Sequence, residues 1–268
     1  MINKDQKIVL LCSNYAWTIL NFRLPLIRRL KADGYKVVVK TQFDGYEHML
    51  SKEVDQVESL FISRKGINPF VDIFTILDFL KSLMIIKPDI LLSFTIKPVI
   101  YSSIAARLMK IPSIVMITGL GTAFIADTWL QKVVKILYQF ALPSVPVVFF
   151  QNTNDKDLFL FHGLVKREVC RLTPGSGIDL GMFKYSKLPI NPNNTFLFVG
   201  RMLWDKGIGE FVDAARTIKL SYPNVRFQLL GPLGVENRTS ILGSQIHKWE
   251  DEGIIEYLGE TDNVADYI

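Results

Sequence analysis

Short apolar runs alternate along the first 172 residues with longer stretches whose apolar positions recur every three or four residues. Runs at 7–12, 35–40, 57–62, 89–94, 113–117, 147–150 and 168–172 predict strands. Residues 20–33 place Leu20, Leu24, Ile27 and Leu30 on one helical face, with Arg23, Arg28, Arg29 and Lys31 off it. Gly34 follows where a helix C-terminal glycine belongs. Residues 69–86 predict a long helix, with Asn68 as N-cap and Pro69 in the first turn. Further helices are expected over 98–109, 129–142 and 155–161. The run at 89–94 suits a strand buried on both faces. Strand–helix alternation with short connections predicts an α/β fold built on a parallel, doubly wound sheet.

The rhythm stops between 173 and 194. Pro174, Gly175, Gly177, Gly181, Pro189 and Pro192, with three asparagines, give this stretch a linker composition. Alternation then restarts, with strands expected over 195–199, 225–230 and 254–258, helices over 208–220 and 240–251, and Ile268 falling inside a further helix. The chain therefore divides into a first domain over 1–172, a linker over 173–194 and a second domain over 195–268. Three strands are fewer than an open α/β sheet usually has, so the second domain is expected to be very small or incomplete.

Composition narrows the picture. Of 268 residues 49% are hydrophobic and 21% charged, an ordinary globular balance. Cys12 and Cys170 stand apart, outside any C-x-x-C pair, so neither a disulfide framework nor a thiolate metal site is expected and a reducing compartment is. The apolar run at 8–11 is too short for a secretory leader. The most apolar stretch, 136–150, is interrupted by Gln139, Pro143, Ser144 and Pro146, so no spanning helix is expected. Charge is uneven: residues 1–150 hold 18 Lys/Arg against 11 Asp/Glu, and residues 151–268 hold 13 against 15. The basic half is expected to face something anionic, or simply solvent.

The clearest candidate for chemistry is the segment Val199-Gly200-Arg201-Met202-Leu203-Trp204-Asp205-Lys206-Gly207. It follows a predicted strand and precedes a predicted helix, at the end of a parallel sheet where ligands bind. Gly200 permits close backbone approach. Arg201 offers a planar fork, Lys206 a mobile charge and the helix start its free amides, a set that fits a diphosphate.

That segment resembles the donor-binding loop of family 4 of the glycosyltransferases, V-G-R-x-x-x-x-K-G. The resemblance extends to Asn21-Phe22-Arg23-Leu24-Pro25-Leu26, Phe94-Thr95-Ile96-Lys97-Pro98, Ile117-Thr118-Gly119-Leu120-Gly121, Pro174-Gly175-Ser176-Gly177-Ile178-Asp179, Leu230-Gly231-Pro232 and Tyr257-Leu258-Gly259. It implies a GT-B fold of two Rossmann-like doubly wound domains, the second one incomplete here. It implies a retaining transferase that moves a hexose or N-acetylhexosamine from a UDP-sugar to a polyprenyl-diphosphate-linked glycan, in capsule, O-antigen or exopolysaccharide synthesis. Gly200, Arg201 and Lys206 would then hold the donor diphosphate, with Gly231 and Pro232 in a donor-side loop. Asn21, Arg23, Thr118, Gly119 and Gly121 would line the acceptor side, the first two from the first βα loop.

No cofactor or metal is implied, the UDP-sugar being a co-substrate. No catalytic base is assigned, and His48, His162 and His247 read as structural or surface residues. The family's E-x7-E motif is expected after the next strand of the second domain, past residue 268, so this polypeptide alone is expected to have little activity. Residues 129–137, with Lys132 and Lys135 among Trp129, Leu130, Val133, Val134, Ile136 and Leu137, suit either core or a peripheral contact with the cytoplasmic membrane's inner face. Two other readings stay open: a non-catalytic remnant that binds a lipid-linked glycan or a partner, and a UDP-sugar epimerase. Nucleic acid is not an expected partner, for want of a reading motif.

Overall fold

The computed structural model describes residues 6–63, 68–120, 129–187, 194–235, 237 and 239–268. Two compact units divide between Asp179 and Leu180, inside the stretch of linker composition.

The first unit carries strands β1 (Ile8–Tyr15), β2 (Lys36–Gln42), β3 (Gln56–Ser59), β4 (Ile90–Phe94), β5 (Ser113–Ile117), β6 (Val147–Phe150) and β7 (Cys170–Leu172). Its helices are α1 (Ala16–Ala32), α2 (Glu47–Leu50), α3 (Pro69–Ile86), α4 (Ile96–Met109), α5 (Trp129–Ala141) and α6 (Thr153–Phe161). The sheet order is β3-β2-β1-β4-β5-β6-β7, every neighbouring pair parallel. Strand order reverses between β1 and β4, so the crevice at their carboxyl ends is the topological switch point of the sheet.

Alternation along the strands fills both faces. Leu10, Cys12, Val38, Leu91 and Val115 pack with Phe79 and Leu83 of α3, Val99 of α4, Tyr138 of α5 and Phe159 of α6. Val9, Leu11, Val37 and Val39 point the other way, toward Ala16, Ile19 and Ile27 of α1. Burying each large aliphatic side chain contributes roughly 1.5–3 kcal/mol. The Cys12 thiol is fully buried, and that burial pushes its pKa up. Asn68 caps α3, its side-chain oxygen accepting from the Phe70 and Val71 amides at 3.1 and 3.5 Å.

The first helix corrects the sequence reading. β1 runs on to Tyr15 and α1 begins at Ala16, four residues earlier than the periodicity indicates. Asn21 and Arg23 therefore lie within a helix and not in a βα loop. The first turn carries no start signal, because the N-cap position holds Tyr15, whose side chain makes no capping hydrogen bond.

The second unit is a three-stranded parallel sheet in the order β10-β9-β8. It comprises β8 (Thr195–Val199), β9 (Arg226–Leu230) and β10 (Glu256–Tyr257), with α7 (Ile208–Ser221) and α8 (Gly243–Asp251). Met202, Ile208, Val212, Phe227, Leu229, Ile246 and Trp249 form its core. The helix expected at the carboxyl end is one short 3-10 turn, Val264–Tyr267.

Candidate functional site

In the second unit, three glycines continue the sheet past the carboxyl ends of its strands. The Gly200 amide donates to the Leu230 carbonyl at 2.9 Å, and the Gly231 amide donates to the Gly259 carbonyl at 2.7 Å. The result is a shelf of bare backbone across β8, β9 and β10. The Tyr257 hydroxyl donates to the Gly231 carbonyl at 2.8 Å and fixes the shelf from β10.

Arg201 leaves this shelf directly, and a 3-10 turn over Trp204–Lys206 carries the chain to α7. Gly207, at φ 82°, is the N-cap of α7, so the free amides of a 14-residue helix open at the same end of the sheet. Arg201 and Lys206 are both exposed, and neither has an ion-pair partner among the described residues. Asp205 lies between them in sequence. The Thr239 side chain, with smaller contributions from the Lys206 and Arg201 charges, holds its carboxyl below the usual range. The Leu203–Ser240 bridge and the Met202 amide's bond to the Pro232 carbonyl at 3.2 Å tie this loop to the segment after β9. Gly200, Arg201, Lys206, Gly231 and Pro232 thus share one end of one small sheet. Gly259 and Tyr257 belong with them, although their sequence context suggested only a strand.

The first unit places its candidates at the carboxyl edge of its own sheet. Arg23 joins Ala16, Ile19 and Ile27 on the buried face of α1 and is only 5% exposed. Its guanidinium carbon lies 4.3 Å from the centre of the Phe94 ring at the end of β4. Burial pulls its pKa down to about 10. Asn21 is exposed on the same helix and donates back to the Trp17 carbonyl at 2.9 Å. Thr118 and Gly119 follow β5 and are half-buried, with Gly119 at φ 143°. Gly121 lies outside the described residues.

Thr95, between β4 and α4, has φ 68° and ψ 155°, a conformation that a residue with a side chain adopts only at a cost. It sits beside the switch point, where the sequence had named no role for it. Gln151 and Ser176 also reach this edge, and Ser176 accepts from both Arg23 and Gln151.

The three histidines lie apart from both sets. His48 and His247 are exposed, bonded to the Gly45 carbonyl and Glu250. Burial and the Lys135 charge lower the pKa of His162. No group of three His, Cys, Asp or Glu side chains able to hold a metal ion occurs among the described residues.

Comparison with known proteins bears on the fold and the family. The chain is 25% identical over 268 residues to N,N'-diacetylbacillosaminyl-diphospho-undecaprenol alpha-1,3-N-acetylgalactosaminyltransferase of Campylobacter jejuni, covering 94% of this chain and 69% of that protein. Among solved structures it resembles Anabaena HepE in complex with UDP-glucose, with a TM-score of 0.71, 15% identity, and coverage of 97% of this chain and 71% of that one. It also resembles the UDP-GlcNAc 2-epimerase of Neisseria meningitidis bound to UDP-GlcNAc, with a TM-score of 0.62, 15% identity, and coverage of 98% and 74%. These structural likenesses show a shared fold, that of the GT-B glycosyltransferases and their relatives. A family model described as "Glycosyl transferase 4-like" matches residues 7–152, from β1 through the end of β6 and including Arg23 and Thr118. That match spans more than half of the chain, and the protein belongs to the glycosyl transferase 4-like family.

Proposed function

We propose that this enzyme moves a hexose or N-acetylhexosamine from a UDP-sugar to a polyprenyl-diphosphate-linked glycan, with retention of anomeric configuration, in the assembly of a bacterial surface polysaccharide. The observation that carries the reading is the pair of exposed cations, Arg201 and Lys206, beside the glycine shelf and the start of α7. A diphosphate laid on bare backbone would meet amides, a guanidinium and an ammonium together. Fixed positive groups of this kind stabilise the charge that grows on a departing nucleotide. They supply that charge without a metal, so UDP-sugar affinity should be equal in magnesium and in EDTA. The relatives support the donor and acceptor classes through what their names say of them: UDP-glucose bound to HepE, and an undecaprenol-linked acceptor for the Campylobacter enzyme. Titration of the full chain with isotope-labelled UDP-sugars tests the reading, and no saturable binding would refute it. Incubation of UDP-sugar without acceptor would register an epimerase as a new sugar nucleotide.

The same reading places the enzyme peripherally at the inner face of the cytoplasmic membrane. No described helix is long and apolar enough to cross a membrane. The layer of α3, α4 and α5 buries one side in the core, yet exposes Phe70, Phe74, Leu77, Ile85, Ile136 and Phe140 on the other. The two acids of α3 are engaged: Asp72 with Lys97 and Asp78 with Lys40. Lys81 and Lys132 stay exposed on this layer. Exposed apolar side chains among cations match an anionic bilayer surface.

A further inference from the structure

We propose that Arg23 and Gln151 form a binding site for a phosphate group of the acceptor, in which the Ser176 hydroxyl holds the place of one phosphate oxygen. The proposal rests on the transferase reading above, because that reading supplies a phosphate-bearing acceptor.

The argument starts from an unusual burial. Arg23 faces the core side of α1, and no carboxylate pairs with it among the described residues. A buried cation without an anion is costly, and proteins retain one where an anion is to be met. The Phe94 ring offsets part of that cost by lying under the guanidinium. The remaining hydrogen bonds are specific. Arg23 Nη1 donates to the Phe22 carbonyl at 3.0 Å and to Ser176 Oγ at 2.9 Å. Gln151 Nε2 donates to the same Ser176 oxygen at 3.0 Å. Two donors from distant parts of the chain therefore converge on one neutral oxygen, an arrangement that a charged oxygen would satisfy more strongly.

Further buried polar atoms, on Arg23 itself and on the sheet face that α1 covers, are unmet. Arg23 Nε is buried and has no hydrogen-bond partner, as are Ser13 Oγ and Thr41 Oγ1. Ser13 and Thr41 are register partners in β1 and β2. By strand alternation they share the sheet face of Val9, Leu11, Val37 and Val39, which is the face that α1 covers. A tetrahedral phosphate can accept from several directions at once, which one hydroxyl cannot. Arg23 is buried whereas Ser176 is exposed, so displacement of Ser176 uncovers the guanidinium. Gly175 and Gly177, at φ 81° and 75°, flank that serine. The site lies at the switch point where ligands bind in sheets of this order.

The experiment uses the full chain, calorimetry and three probes: farnesyl diphosphate, inorganic phosphate and farnesol. Farnesyl diphosphate should bind, inorganic phosphate should compete with it, and farnesol should not bind measurably. Ser176→Ala removes the competing oxygen and should tighten binding several-fold. Ser176→Asp supplies a built-in carboxylate and should weaken it by about tenfold or more, with an unchanged or raised thermal midpoint. Because both changes lie on an exposed residue, folding is preserved and Arg23 itself need not be altered. Equal binding of farnesol and farnesyl diphosphate, or Ser176→Asp binding as well as wild type, would overturn the proposal. UDP titration of the same samples separates the two readings. UDP binding that depends on Arg201, with no response to either phosphate probe, sinks this site and leaves the transferase reading standing.

Discussion

The carbonyl oxygen of Gly200 occupies the space that the first side-chain atom at position 231 would need. Gly231 also has φ 144°, a backbone conformation open to glycine. Both conditions arise because the hydrogen-bond ladder continues past the strand ends. Gly231→Ala should destabilise the second unit by about 3 kcal/mol, the range of a backbone clash added to strain. Urea unfolding followed through the fluorescence of Trp204 and Trp249, which meet edge to face at 5.8 Å, reads this directly. An unchanged midpoint would show that the shelf relaxes freely.

Arg201→Ala and Lys206→Ala should each weaken UDP-sugar binding by about tenfold or more, the value of a charge-assisted hydrogen bond of about 1.5–3 kcal/mol. Both side chains are exposed and unpaired among the described residues, so unfolding midpoints should not move. Arg201→Lys should recover only part of the loss, since an ammonium lacks the planar fork. Unaltered affinity in the double variant would remove the donor assignment.

Glu256 gives the second unit an acid-sensitive joint. Its carboxyl is held down to about 2, chiefly by the hydrogen bond from Arg226, which outweighs the opposing effect of burial, with a lesser contribution from the Gln228 hydrogen bond. A carboxyl depressed in the folded state contributes stability above its unfolded pKa of about 4.5 and loses it as pH falls toward about 2. The pair is solvent-exposed, so the contribution should stay below about 1 kcal/mol. Glu256→Gln should therefore flatten the stability profile between about pH 4.5 and pH 2 and leave it unchanged at neutral pH apart from that small offset. An identical acid slope in both proteins would contradict this.

Lys40 is buried in the middle of β2, with Asp78 at 3.0 Å and the Ser59 carbonyl at 2.8 Å. Lys40→Ala removes a buried cation from its partner and leaves a gap against Phe79, so a loss of about 3 kcal/mol is expected. Lys40→Met keeps most of the volume and should cost less. The comparison of thermal midpoints separates packing from charge.

If the α3 layer meets a membrane, Phe74→Ser combined with Leu77→Ser should reduce sedimentation with anionic vesicles several-fold while leaving the fold intact, because both side chains are exposed. Equal sedimentation of both proteins would move the contact elsewhere.

Much of the fold was legible along the chain. The long helix over 69–86, its Asn68 cap and the carboxyl-end glycine at position 34 depend on neighbours a few residues away. The proposed donor segment was legible as a local pattern for the same reason, since Gly200, Arg201, Lys206 and Gly207 lie within eight positions. The surroundings of the first unit's candidates were not. Asn21 and Arg23 looked alike as polar residues near a proline, yet one is exposed and bonded within its own helix and the other is buried. α2, four residues long, is too short for any periodicity to show.

Hydrophobic period and glycine or proline punctuation are local properties, so by themselves they determined the strand–helix alternation, the linker composition of 173–194 and the clustering of Gly200, Arg201 and Lys206. The sheet order 3-2-1-4-5-6-7 decided the rest. It carries Gln151 and Ser176 to the same edge as Arg23, more than a hundred residues away, and in the smaller sheet the order β10-β9-β8 sets Gly231 against Gly200. Contacts between distant residues depend on which strands lie side by side, a choice made by packing the whole chain.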